Sequence, residues 1–185
     1  NMKKYRYLAY ALACLLMSSC EKEESYPLIE LADEIYGGRV FYLDESGNHG
    51  LVVAEIDFKF SETPFFTWPC PGKEILGAND VTIGAGKRNT IDIISGCSDE
   101  QSMAHLIFDK MFQGYNDWFI PSKHELNLMY KNLHLRGFGA FEYTGYYWSS
   151  SEYDADLVWA KSFANGYQSK EAKSSIQRLR LVRSF

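Results

Sequence analysis

The run Pro121-Ser122-Lys123-His124-Glu125 opens a helix by two signals, and the text on either side of it limits the fold more than any other feature. Ser122 can cap the first turn while Glu125 returns a bond to the Ser122 backbone, a capping box. Leu126, Met129, Tyr130 and Leu133 follow at helical spacing and give one apolar face, read as core. A second capping box, Ser98 with Gln101, predicts a helix carrying Met103, Ala104, Ile107, Phe108 and Met111 on its inner face. Outside this middle the chain is β-like. Residues 39–43 and 51–56 are β-rich and separated by Asp44-Glu45-Ser46-Gly47-Asn48, which reads as a hairpin with His49 at its turn. Residues 146–149, 158–163 and 176–183 are the later strand candidates. In the last, Arg178 and Arg180 alternate with Leu179 and Leu181, a half-buried pattern. A hairpin, two helices and a β-rich C-terminal half make an α+β fold with segregated helices.

Residues 57–97 read as irregular. Within them "GAGKRNT", residues 84–90, invites a phosphate-loop reading, but Arg88 stands where Ser or Thr must follow the lysine. The dinucleotide fingerprint lacks its third glycine, so a structured loop is expected. His105, His124 and His134 share no repeating ligand spacing, and no metal site is expected from them.

The first residues read as a leader. Lys3, Lys4 and Arg6 precede an apolar run over residues 7–17 and then Ser18-Ser19-Cys20, the layout of a secretory signal too short to span a bilayer. Cys20 after small residues resembles a bacterial lipobox, with Met17 where leucine is commoner. Residues 1–19 are thus expected to be cleaved and Cys20 lipidated, anchoring the chain to the outer membrane with its domain facing outward. Residues 20–34 form an acidic tether. Removing 1–19 takes three of the 19 Lys+Arg and none of the 24 Asp+Glu, leaving 16 against 24, a net of −8. So acidic a domain is a poor partner for nucleic acid. Of the four cysteines, Cys70 and Cys97 then remain, a candidate disulfide in an oxidising envelope or else two buried thiols.

Six pieces in order carry a resemblance: "GGRVFYLDESGNHGLVVA", "IGAGKRNT", "DWFIPSKHEL", "YWSSSE", "VWAKSFANG" and "RLRLVRSF". They look like the Lcl_C family, the C-terminal domain of a collagen-like bacterial adhesin, over residues 35–185, taken as one domain. The resemblance implies a C-type-lectin-like fold, two helices packed on small twisted antiparallel sheets, in the superfamily of the formylglycine-generating enzyme. It implies attachment at cell surfaces and no catalytic activity or cofactor. The calcium-binding lectin motifs Glu-Pro-Asn, Gln-Pro-Asp and Trp-Asn-Asp are absent, and Cys70 and Cys97 lie well before the position of that enzyme's cysteine pair.

The stretch "GYYWSSSEYDADLVWAKSFANGY", residues 145–167, mixes rings with small polar groups, as recognition surfaces do. The matching family motif implies that Trp148 and Trp159 are packing residues. Tyr143, Tyr146, Tyr147, Tyr153 and Tyr167 are the expected exposed rings, with Asp154, Asp156 and Lys170 as polar neighbours in a ligand-binding set. Glu152, Asp154 and Asp156 alternate as calcium ligands can, although a solvated acidic loop is the default. Lys170, Lys173, Arg178, Arg180 and Arg183 form a basic segment able to attract sulfate or carboxylate, although the resemblance at the terminal motif implies that Arg180 and Arg183 are buried fork-like donors. Ser149, Ser150 and Ser151 lack a nucleophile-elbow context, so no enzyme is expected. The reading is a surface lipoprotein whose lectin-like domain binds an extracellular glycan or protein. The alternative is an accessory subunit of a surface fibre or envelope complex, with an envelope enzyme third.

Overall fold

The computed structural model describes residues 28–108 and 110–185; the leader, Cys20 and the tether up to residue 27 lie outside the described residues. The order is β1 (Glu34–Ile35), β2 (Gly38–Leu43), β3 (Gly50–Val53), β4 (Phe65–Phe66), α1 (Gly86–Gly96), α2 (Met103–Ile107), α3 (Lys123–Asn132), a 3-10 turn (His134–Arg136), β5 (Tyr147–Glu152), β6 (Leu157–Lys161), β7 (Gln168–Ala172), β8 (Gln177–Arg178) and β9 (Val182–Ser184). This is a mixed α+β fold with two sheets, ordered β1-β2-β3-β9 and β4-β8-β5-β6-β7.

The expected hairpin forms from local chemistry. Asp44 Oδ1 accepts from the Ser46 and Gly47 amides and from the Ser46 hydroxyl, and Gly47 supplies the positive φ of 70° that closes the turn. Strand β3 stops at Val53, short of the expected residue 56, and β9 pairs with its other edge.

The segment 176–183 does not form one strand. It starts as β8 in the five-stranded sheet and ends as β9 in the four-stranded one, with Leu179 and Leu181 fully buried at the crossing. The two sheets are thereby tied by one short piece of chain.

Helix α3 has the expected capping box: Ser122 Oγ accepts from the Glu125 amide at 3.2 Å, and Glu125 Oε2 accepts from the Ser122 amide at 2.7 Å. Two other expectations are corrected. The loop expected at "GAGKRNT" is the start of α1, an eleven-residue helix. Its first turn is capped from far away, since Glu125 Oε1 accepts from the Gly84 amide at 2.7 Å and, more weakly, from the Gly86 amide at 3.4 Å. The helix expected to start at Ser98 starts after Ser102, because Asp99 gathers the Gln101 and Ser102 amides into a turn. It ends at Ile107, and Phe108 and Met111 lie outside it, exposed.

Cys70 and Cys97 form a disulfide, Cα atoms 5.9 Å apart, which pins the irregular segment to the end of α1. One core cluster gathers Trp68, Ile93, Met103, Trp118, Trp148 and Leu179 under that segment. The other joins α3 to both sheets, Leu126 and Met129 of the helix packing with Phe41 and Val182 of one sheet and Tyr147 of the other, with Phe141 and Phe163 between.

Candidate binding surface

Strand β5 decides which expected residues reach solvent. All six of its residues are buried, because its pairing with β6 shifts between Trp148 and Glu152 and its backbone turns to other partners. The Ser150 amide donates to Pro121 O and the Glu152 amide to Ala78 O. The serines satisfy the crossing: Ser149 Oγ donates to Trp159 O at 2.6 Å and Ser151 Oγ to Asp80 O at 2.8 Å. The Ser149 and Ser151 hydroxyls are thus taken up by backbone carbonyls.

Tyr147 was expected at the surface and is fully buried instead. Its hydroxyl donates to the Asp57 carboxylate and accepts from the Glu142 amide at 3.0 Å. Burial, reinforced by Asp57, pushes the phenol up to about 12. Tyr146 is half-buried against the first core cluster, its amide held by Gln177 Oε1. Tyr143 and Tyr167 are exposed, Tyr143 at 67% with its ring 5.1 Å from His134. Asp154 caps its own turn, accepting from the Asp156 and Leu157 amides at 2.9 and 2.8 Å. Glu152 does not join Asp154 and Asp156. It is buried against Lys173, and its second oxygen accepts from the Ile75 amide.

The basic segment also divides. Lys173 is buried with Glu152 and lies over the Trp68 ring. Arg180 donates through Nε to Asp57 at 2.6 Å and through Nη1 to the Ala54 and Gly139 carbonyls. Arg183 grips both oxygens of Asp117 at 2.6 and 2.9 Å. These two are the buried fork-like donors expected from the resemblance of the terminal segment. Arg178 lies half-buried beside Asp57, and Lys170 is the member that remains exposed.

What the fold brings together is a cluster around Trp159, a residue read from the sequence as packing. Residue Trp159 of β6 sits opposite Lys170 of β7. The Lys123 ammonium, from the first turn of α3, lies 3.3 Å from the Trp159 ring centroid. The Lys170 ammonium lies 3.5 Å from the Tyr153 centroid and 5.4 Å from that of Trp159. Tyr153 meets Trp159 edge-on, centroids 5.7 Å apart. Lys123 is held in place through its carbonyl, which accepts from Gln168 Nε2 at 2.9 Å. Neither lysine has a carboxylate partner among the described residues. Partial burial, and then the neighbouring Lys170 charge, hold the Lys123 ammonium below its ordinary pKa.

Two rings with two unneutralised ammonium groups over them can stack on an apolar face and meet an anionic group at once. Further along the seam between α3 and β6 the chemistry turns inward. Lys161 Nζ donates to Gly166 O and Asn127 Oδ1 and lies 4.5 Å from the Tyr130 ring centroid, and burial brings it down to about 8. The signal for Trp159 was the unread strand β7, whose pairing places Lys170 beside it. Elsewhere an open groove of about 680 Å³ runs between Phe65, Trp68 and Met103; Cys70 is the one expected residue in it.

No known family profile matches the chain, and no curated protein matches it. Among solved structures it is similar to a fimbrial protein from Bacteroides ovatus ATCC 8483, with a TM-score of 0.47 and 13% identity over 72% of this chain. The match covers 35% of that protein, so the chain spans about a third of its length.

Proposed function

We propose that this protein is a surface lipoprotein of the Lcl_C type with a C-type-lectin-like domain, and that it binds an extracellular glycan bearing acidic groups. The cluster of Trp159, Tyr153, Lys123 and Lys170 carries the reading, since it offers ring faces and unpaired positive charge in one place on an acidic chain. The fold reading is supported by helices set between an N-terminal hairpin and a terminal strand that pairs back onto it. Anchoring through Cys20 rests on the leader sequence.

The test is a glycan and host-protein array probed with the soluble fragment 21–185. Acidic glycans should bind. The W159A and K123A/K170A variants should each lose that binding about tenfold or more, the scale of a lost ring–sugar stack or charge-assisted bond. Silence across both arrays would sink the reading. Preferential recovery of envelope proteins from a pull-down would favour the accessory-subunit alternative.

A further inference from the structure

We propose a second binding site, a pocket between α1 and residues 116–119, for a compact apolar group that carries an anionic head: an aryl or branched-alkyl carboxylate. The pocket is an open cleft of about 240 Å³ whose apolar wall is Ile91, Phe108, Trp118 and Phe119. A cavity of about 150 Å³ holds benzene, so this one has room for a substituted ring. Three of the polar groups in its wall, those of Thr90, Asp117 and Trp118, are committed elsewhere. Thr90 Oγ1 donates to Gly86 O at 2.8 Å and accepts from the Ile120 amide at 3.0 Å. Trp118 Nε1 donates to Phe112 O at 2.6 Å, and both Asp117 oxygens are held by Arg183. Water in the floor finds few partners, which favours an apolar occupant.

Charge at the mouth selects the head group. Arg183 neutralises Asp117, while Lys87, exposed on the first turn of α1, has no ion pair among the described residues. Among the described residues lining the pocket or paired with them, Lys87 and the Asp117–Arg183 pair supply two cations against one carboxylate, an excess of one positive charge. A carboxylate there gains a charge-assisted bond to the ammonium, with the Asn116 amide at hand as a further donor. Ile91 and Phe108 are 43% and 55% exposed, so the apolar wall runs out to the surface uncovered. This site shares no residue with the Trp159 cluster, and its fate is independent of the glycan reading.

The experiment titrates the mature chain with phenylacetate, with toluene and with benzylamine, following the Trp118 indole N–H resonance. Phenylacetate should give a saturable shift below about 10 mM, as expected of a small ligand of this size. Benzylamine should bind distinctly more weakly. K87Q should weaken phenylacetate about fivefold, the upper range of an exposed ion pair, and leave toluene unchanged. I91D should abolish the shift, and W159A should not alter it. No saturation by phenylacetate, equal responses to the two charged probes, or an indifferent K87Q would each overturn the proposal. The ligand series and K87Q decide the matter even where I91D fails to fold.

Discussion

Arg180 and Asp57 show how one residue pair can hold several segments at once. Both are buried, and Arg180 bridges carbonyls of the segment after β3 and of the loop at residues 139–140, while Asp57 also takes the Tyr147 hydroxyl. Replacing Arg180 by methionine would leave the buried Asp57 carboxylate with only the longer, 3.4 Å contact to Arg178 in place of its 2.6 Å partner. We expect a loss of about 3–5 kcal/mol in urea unfolding, with part recovered when Asp57→Asn is added, because the stranded charge is the larger penalty. A loss below about 1 kcal/mol would mean that water reaches Asp57. The terminal motif was enough to expect a buried Arg180, whereas alternation with Leu179 and Leu181, all three buried, would have put it on the other face. Composition misled for Tyr147, which the ring-rich stretch placed at the surface, because a phenol can be buried when Asp57 and the Glu142 amide satisfy its hydroxyl; between Trp148 and Glu152 the pairing of β5 with β6 is interrupted. Past such an interruption a period of two no longer reports which face a residue takes.

The elements divide by where their stabilising contacts come from. The β2–β3 hairpin and α3 are closed by neighbours in sequence, through Asp44 and through the Ser122–Glu125 box, and both were legible. Helix α1 was not, because its start is closed by Glu125, 39 residues from Gly86 and on another helix. The two-residue β4 and β8 likewise pair only with strands distant in sequence, whereas β7 closes onto its neighbour β6 as a hairpin that its polar residues did not announce. Gly86 tests the dependence of α1 on α3. A Cβ at that position would lie 2.4 Å from Glu125 Oε2 and 2.7 Å from Ile120 O, the second a backbone atom that cannot swing aside. G86A should therefore destabilise by about 1–3 kcal/mol, although alanine favours helix elsewhere. Amide exchange should rise at residues 84–90 ahead of the β2–β3 hairpin. An unchanged or raised melting temperature would show that the contact is loose.

At the scale of the whole molecule, buried titratable groups make stability depend on pH in a direction that the net charge does not give. Lys161 falls to about 8 in the fold from an ordinary 10.5, so between those values the unfolded chain binds the extra proton and stability rises with pH. Tyr147 climbs to about 12 from an ordinary 10, so above pH 10 the folded chain keeps the extra proton and stability falls. The two tendencies oppose each other between 10 and 10.5. The unfolding free energy should accordingly climb from pH 8, peak near pH 10 and decline toward pH 12. Lys123, also held below its ordinary value by burial, adds to the climb. On the acid side burial raises Glu125 and Glu152, so their share of stability is greatest while protonated and falls as pH rises through their folded values. Chemical denaturation from pH 7 to 11.5 would read the alkaline limb. K161M should flatten the climb and Y147F should soften the decline. A stability that only falls above pH 8 in the parent chain would mean that Lys161 keeps its charge hydrated, and that α3 and β6 are packed less tightly at this seam than the Lys161–Asn127 and Lys161–Gly166 bonds imply.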